Sequence, residues 1–145
     1  MSNIEKLILE TKKEFEIINI TDKIKSIVYN FKIKEGSALI YSRHTTLALK
    51  INEDELLLRK DIMNFMEALI PYNKEYNHDN LNLRPDCPPD EPKNARGHLM
   101  CMFFEASQTV PIIDYEMQFG KWQSLFAIET SGPRKRELLI QGYKL

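Results

Sequence analysis

Cysteine is nearly absent from this 145-residue chain: Cys87 and Cys101 are its only two. Two are too few for a disulfide scaffold, and neither stands in a Cys-x-x-Cys pair. Glycine is also sparse, at five residues. No glycine-rich phosphate loop, Gly-x-Ser-x-Gly elbow or His-Glu-x-x-His zinc helix can be read. Excess charge of one sign is missing as well, with 20 Lys+Arg against 21 Asp+Glu and a formal charge of -1. That balance excludes the broad basic field behind nonspecific nucleic-acid binding, so no nucleic-acid partner is expected. No run approaches the roughly 18–20 apolar residues of a membrane helix. The opening MSNIEKLILE lacks the long apolar stretch of a signal peptide. A cytoplasmic protein with no membrane partner is expected.

What is present is ordinary for a folded domain: 43% hydrophobic and 28% charged residues. The length fits one domain, 1–145, with enough apolar content for a real core. Ile4–Leu9 and Phe15–Ile20 read as strands. Thr21 is placed to cap a helix carrying Ile24, Ile27, Val28 and Phe31, with Gly36 as its stop. Ala38–Ser42 and Leu47–Ile51 read as a second strand pair. Leu58, Ile62, Phe65, Met66 and Leu69 form one apolar stripe on a helix over Asp54–Ile70. Asn52 and Glu55 resemble its capping box, and Pro71 closes it. Tyr72–Lys93, with four prolines, reads as a long loop. Such loops inside a domain are usually functional or disordered. Asn94–Glu105 reads as a short helix. Thr109–Ile113, Tyr115–Phe119, Gln123–Thr130 and Arg134–Tyr143 then read as a meander of strands, with turns at Asp114 and Ser131-Gly132-Pro133. The expected fold class is α+β: a single compact domain, a largely antiparallel β-sheet packed with a few helices.

The residues able to do chemistry are scattered. His44 sits in Ser42-Arg43-His44-Thr45-Thr46, a turn between two strands. Its guanidinium and hydroxyls suit a phosphate cradle, or else they satisfy the turn's own backbone. Asn52-Glu53-Asp54-Glu55 gathers three carboxylates at a helix start. Acids belong there on dipole grounds, yet one could serve as a base or cation ligand. His78 and Asp79 lie in the long loop. His98 and Cys101 share one helical face, which is two groups and not a closed zinc site. Trp122-Gln123 could stack and hydrogen-bond a heteroaromatic ring, or pack at a rim. Arg134-Lys135-Arg136 reads as a solvated strand, with a phosphate clamp as the other option.

Taken in order, His44-Thr45-Thr46, Asn52-Glu53-Asp54-Glu55, His78-Asp79, Asn94-x-x-x-His98, Gly120-x-Trp122-Gln123 and Gly132-Pro133-Arg134 resemble the YjbQ family, also known as UPF0047. The resemblance runs over nearly the whole chain. It departs at Lys121, where the family often has Thr before Trp-Gln, and at Phe104-Glu105-Ala106. A third departure is Asp114-Tyr115-Glu116, where Asp-Gly-Arg is usual. The resemblance implies a homotrimer with clefts near subunit boundaries. It also implies a weak thiamine-phosphate synthase activity that joins an aminopyrimidine diphosphate to a thiazole phosphate and releases pyrophosphate.

Under that resemblance His44, Glu53, His78, Asp79 and His98 are the candidate catalytic residues. Arg43, Thr45, Thr46, Asn52, Trp122, Gln123 and Arg134 are candidates for binding a phosphorylated small molecule. A divalent metal is implied in one of two ways. Mg²⁺ would serve the pyrophosphate, with Glu53 or Asp79 as ligand. Alternatively His44, His78 and His98 would hold a transition metal, in a metal-dependent hydrolase or a metal- or anion-binding trimer. Either way the three histidines are expected to meet in one cleft.

Overall fold

Two-residue alternation of apolar side chains builds two antiparallel sheets, and two of the connections between strands supply the helices. The computed structural model describes residues 3–145. The strands are β1 (Ile4–Glu10), β2 (Glu16–Asn19), β3 (Glu35–Ser42), β4 (Leu47–Asn52), β5 (Ser107–Ile113), β6 (Glu116–Met117), β7 (Ser124–Glu129) and β8 (Lys135–Lys144). The helices are α1 (Thr21–Asn30), α2 (Leu56–Leu69) and α3 (Ala95–Cys101). One sheet has the order β1-β8-β3-β5-β6 and the other β2-β7-β4. Their facing sides bury Ile40, Ile112, Leu138 and Ile140 against Leu47, Leu49 and Leu125, and α1 adds Ile24 and Val28. This is the α+β, largely antiparallel domain read from the sequence.

Local signals were right in kind and wrong in detail. Thr21 does not cap α1. Ile20 holds the cap position, while the Thr21 hydroxyl donates to Asn19 Oδ1 (2.6 Å) and accepts from Leu125 N (2.8 Å). Helix α1 stops at Lys32, which takes φ 55, and not at Gly36. Gly36 instead lies within β3, where a Cβ would stand 1.9 Å from Tyr143 O. Glu55, not Asn52, caps α2: its carboxylate accepts from Leu57 N (2.9 Å) and Leu58 N (2.8 Å). Those two N–H groups hold the Glu55 carboxyl below its ordinary range. The α2 stripe is only partly covered, since Met66 is buried while Phe65 and Leu69 are exposed. The long loop carries two single 3-10 turns, Asn77–Asp79 and Leu81–Leu83.

The register of the smaller sheet decides which loops can meet. Leu47 pairs with Glu129 at one end of β4, and Asn52 pairs with Ser124 at the other. At about 3.4 Å per residue the two ends are roughly 17 Å apart.

Candidate functional site

The Leu47–Glu129 end holds a buried ion pair that the sequence reading missed. Glu129 is fully buried and Arg136 is 4% exposed. Arg136 Nε donates to Glu129 Oε2 (2.7 Å) and Nη2 donates to Oε1 (2.6 Å), a bidentate pair. Glu129 also accepts from the Thr11 hydroxyl (2.8 Å) and from Ser131 N (2.9 Å). Burial pushes its carboxyl up, but Arg136 and these two donors outweigh that and hold it below its ordinary range. Arg136 Nη2 further donates to Thr46 Oγ1 (2.8 Å) and Thr46 O (3.2 Å). The solvated-strand reading of Arg134-Lys135-Arg136 is thus corrected at Arg136. One signal was available: Arg136, Leu138 and Ile140 alternate, which puts all three on the buried face of β8.

His44 belongs to this same end. It lies in the β3–β4 turn, half-buried, and its Nε2 accepts from Glu137 N (3.0 Å). That bond requires the lone pair on Nε2, so the neutral ring carries its proton on Nδ1. Burial first, and then the Arg136 charge, lower the His44 pKa. The expected phosphate cradle is largely taken up by the fold. Thr46 is buried against Arg136, and the Ser42 hydroxyl donates to Leu47 O (2.6 Å). Arg43 and Thr45 are exposed, with Arg43 Nη1 3.6 Å from Glu137.

His78 and His98 do meet. Their ring centroids lie 4.9 Å apart in an edge-on arrangement. Asp79 ties the long loop to α3, its Oδ1 accepting from Ala95 N (2.9 Å). Burial, followed by His78, lowers the His98 pKa. Two buried polar atoms here have no hydrogen-bond partner, His78 Nε2 and Asn94 Oδ1. Asn94 also lines a cleft of about 1250 Å³ whose walls include Asp79, Lys93, Arg96, Ser131 and Arg134 but neither His78 nor His98. Arg96 is engaged by Glu67 (2.5 Å) and Glu14 (3.4 Å). Among the described residues no carboxylate pairs with Lys93 or Arg134, whose Nε donates to Ser131 O (2.7 Å). Cys101 is held beside Thr130 (3.4 Å), and burial raises its thiol pKa.

The remaining candidates sit at the far end of the small sheet. Asn52 Oδ1 accepts from Glu53 N (2.8 Å), and Gln123 Oε1 accepts from Gly120 N (2.8 Å). Trp122 is 66% exposed with Lys121 over its ring. Within one chain Asn52, Glu53, Trp122 and Gln123 therefore do not line that cleft. Nor do the three histidines gather as one ligand set. Among the described residues no group of three or more His, Cys, Asp and Glu side chains is arranged to hold a metal. The physical reason is that β8 backbone fixes His44, whereas the long loop and α3 fix His78 and His98.

A protein-family model described as UPF0047 protein YjbQ-like matches residues 5–144. The chain belongs to the UPF0047 family. A UPF0047 protein of Archaeoglobus fulgidus is 38% identical over 135 residues, covering 93% of this chain and 97% of that protein. One from Methanothermobacter thermautotrophicus is 34% identical, covering 94% and 88%. The crystal structure of a YbjQ-like protein of unknown function from Sulfolobus solfataricus P2 superimposes with a TM-score of 0.85 at 29% identity, over 98% of this chain and 96% of that one. The UPF0047 match takes in both the His44 turn and β8, so the buried pair, the His78–His98 contact and the cleft all lie within the family's span. At Asp114-Tyr115, the turn between β5 and β6, both residues adopt positive φ (49° and 69°). Tyr115 therefore holds a conformation that favours glycine.

Proposed function

We propose that this UPF0047 protein is an enzyme acting on phosphorylated small molecules, and that its chemistry is a thiamine-phosphate synthase type of transfer. The observation that carries the reading is the partnerless buried Asn94 Oδ1, on a residue that lines a cleft of about 1250 Å³, with a second partnerless atom, His78 Nε2, next in the chain to the cleft-lining Asp79. Buried polar atoms are almost always hydrogen-bonded, so an exception on a cavity-lining residue calls for a ligand.

The groups present suit that reaction. The bond between the pyrimidine methylene carbon and the diphosphate oxygen breaks, its electron pair leaving on pyrophosphate. The thiazole ring nitrogen supplies the pair for the new carbon–nitrogen bond. Lys93 and Arg134 on the cleft wall offer positive charge where the departing oxygens become negative. His98, next to the cleft-lining Gly97 and neutral near pH 7, is the imidazole proposed to take a proton from the pyrimidine amino group as the ring pushes electrons toward the methylene, and to return it afterwards. Mg²⁺ would supply charge neutralisation of the pyrophosphate. Asp79 and Glu53, the two carboxylates considered for it, stand at opposite ends of the small sheet. The described residues of one chain do not fit a resident ion.

A cytoplasmic homotrimer is part of the proposal. The exposed apolar residues of α2, Leu56, Leu57, Met63 and Phe65, support self-association of the single 1–145 domain. Light scattering of the purified protein tests it, a monomer at micromolar concentration being the adverse result.

The activity is tested by supplying both thiamine precursors and Mg²⁺ and measuring pyrophosphate release. Release should require both precursors and fall at least about tenfold in His78→Ala and His98→Ala. Release that ignores the thiazole phosphate, or full rates in both variants, would refute the assignment.

A further inference from the structure

The Glu129–Arg136 pair makes more bonds than its own satisfaction needs, and the surplus runs outward in three directions. Toward the His44 turn, Arg136 Nη2 holds both the hydroxyl and the carbonyl of Thr46. Toward the cleft wall, Glu129 accepts from Ser131 N and from the Thr11 hydroxyl. That hydroxyl in turn accepts from Arg134 N (2.8 Å), so the Ser131–Arg134 segment is pinned at both ends. Gly132 lies flat between them, where a Cβ would stand 2.3 Å from Lys13 O.

The third direction leads to the histidine pair. Thr46 O accepts from Thr130 N (3.1 Å). Thr130 Oγ1 lies 2.7 Å from that same carbonyl and 2.9 Å from Gly97 O, immediately before His98 in α3. Gly97 allows this approach, since a Cβ there would stand 2.7 Å from Thr130 O.

We propose that Glu129 and Arg136 are positioning residues that lock the His44 turn, the Ser131–Arg134 wall and the His78–His98 pair into one functional unit. Stability alone does not call for such a pair. Well-packed apolar residues can replace a buried ion pair at little or no loss, because the desolvation cost disappears with the charges. A guanidinium brings something an apolar side chain cannot. Its rigid planar fork fixes direction as well as distance, here toward a carboxylate on β7 and a backbone carbonyl on the β3–β4 turn. The functional part of this inference rests on the cleft being the working site.

Two variants test it. Glu129→Leu/Arg136→Met removes both charges while keeping apolar bulk. Arg136→Lys keeps the charge and loses the fork. Each is examined by thermal unfolding, by the NMR signals of the His44 and His98 imidazoles, and by calorimetric titration with inorganic pyrophosphate. The double variant should stay folded, shift the His98 signals although neither mutated residue touches His98, and weaken pyrophosphate binding about tenfold or more. Arg136→Lys should weaken it to a similar degree. Unchanged His98 signals and wild-type affinity in a folded double variant would overturn the proposal, leaving the pair a packing feature. If the wild-type protein fails to bind pyrophosphate, the functional reading falls while the His98 signals still decide the positioning role. If the double variant does not fold, Arg136→Lys decides by the same signals.

Discussion

Replacing Arg136 by methionine probes the charge buried with it. Arg136 is 4% exposed and Glu129 fully buried, and Glu129 accepts four bonds: two from Arg136, one from Thr11 and one from Ser131. Removing the guanidinium leaves the carboxylate with two neutral donors in a fully buried site. Breaking a buried pair from one side costs about 3–5 kcal/mol. For a chain of 145 residues the unfolding entropy makes each kcal/mol worth about 3 °C, so the melting temperature should drop by about 10–15 °C at pH 7. The pH dependence is the sharper signature. In the wild type the Glu129 carboxyl titrates below its ordinary value, so its contribution is present above about pH 4.3 and lost as pH falls further. In the variant burial is no longer offset and the folded pKa rises. The variant therefore loses stability as pH climbs through the window above about 4.3. His44, released from the Arg136 charge, shifts the variant in the same direction. Thermal melts of both proteins between pH 4.5 and 7.5 should show a gap that is widest at pH 7.5 and narrows toward pH 4.5. A gap of only a degree or two, constant with pH, would mean that Glu129 is not a buried carboxylate depending on Arg136.

Three further outcomes are expected. Gly97→Ala puts a Cβ 2.7 Å from Thr130 O, and the backbone shift should cost about 1–3 kcal/mol in urea unfolding despite alanine's better helix propensity. Tyr115→Gly should raise stability by about 0.5–1 kcal/mol, because relief of a left-handed φ of 69° exceeds the added chain entropy and creates an Asp-Gly hairpin turn; no gain in melting temperature would count against the strain. His44 and His98 both have lowered pKa values, so the unfolded chain takes up protons first as pH falls below about 6.5. Stability should accordingly decline from pH 7.5 to 5.5, and the decline should be shallower in a His44→Gln/His98→Asn variant that still folds.

The fold was legible because its signals are local. Leu47, Leu49 and Ile51 alternate along one strand, and the α2 stripe repeats at helical spacing, so neither needs knowledge of a distant partner. The capping errors have a common origin. Thr21 and Asn52 carry the right chemistry at the right distance from a helix start, yet Leu125 N and Glu53 N claim them from elsewhere. Similarly, Gly36 reads as a helix stop on sequence, but its small size is used where Tyr143 O crosses β3. For Thr21 and Gly36 a contact distant in sequence redirects the residue, whereas Asn52 is turned aside by the N–H of its own neighbour Glu53.

The site divides along the same line. His78 and His98 were singled out by residue type and motif, and the twenty-residue separation between them is closed by the Asp79–Ala95 bond. Glu129 was invisible because an acid near the end of an apolar strand gives no periodic signal until its partner is known. Arg136 did give one, through its alternation with Leu138 and Ile140, but the adjacent Arg134 and Lys135 made a solvated run the simpler reading. The expectation of a single three-histidine cluster failed for a topological reason. Antiparallel β4 and β7 bring Thr46, Thr130 and Gly97 together, so His44 and His98 are neighbours of one hydrogen-bonded column without being neighbours of each other. That column runs through main-chain carbonyls, which carry no residue identity. A chain of contacts of this kind can be built by many sequences and announced by none. What the sequence does constrain are its two anchors, a glycine at 97 small enough to admit Thr130 and an arginine at 136 able to bind in two directions at once.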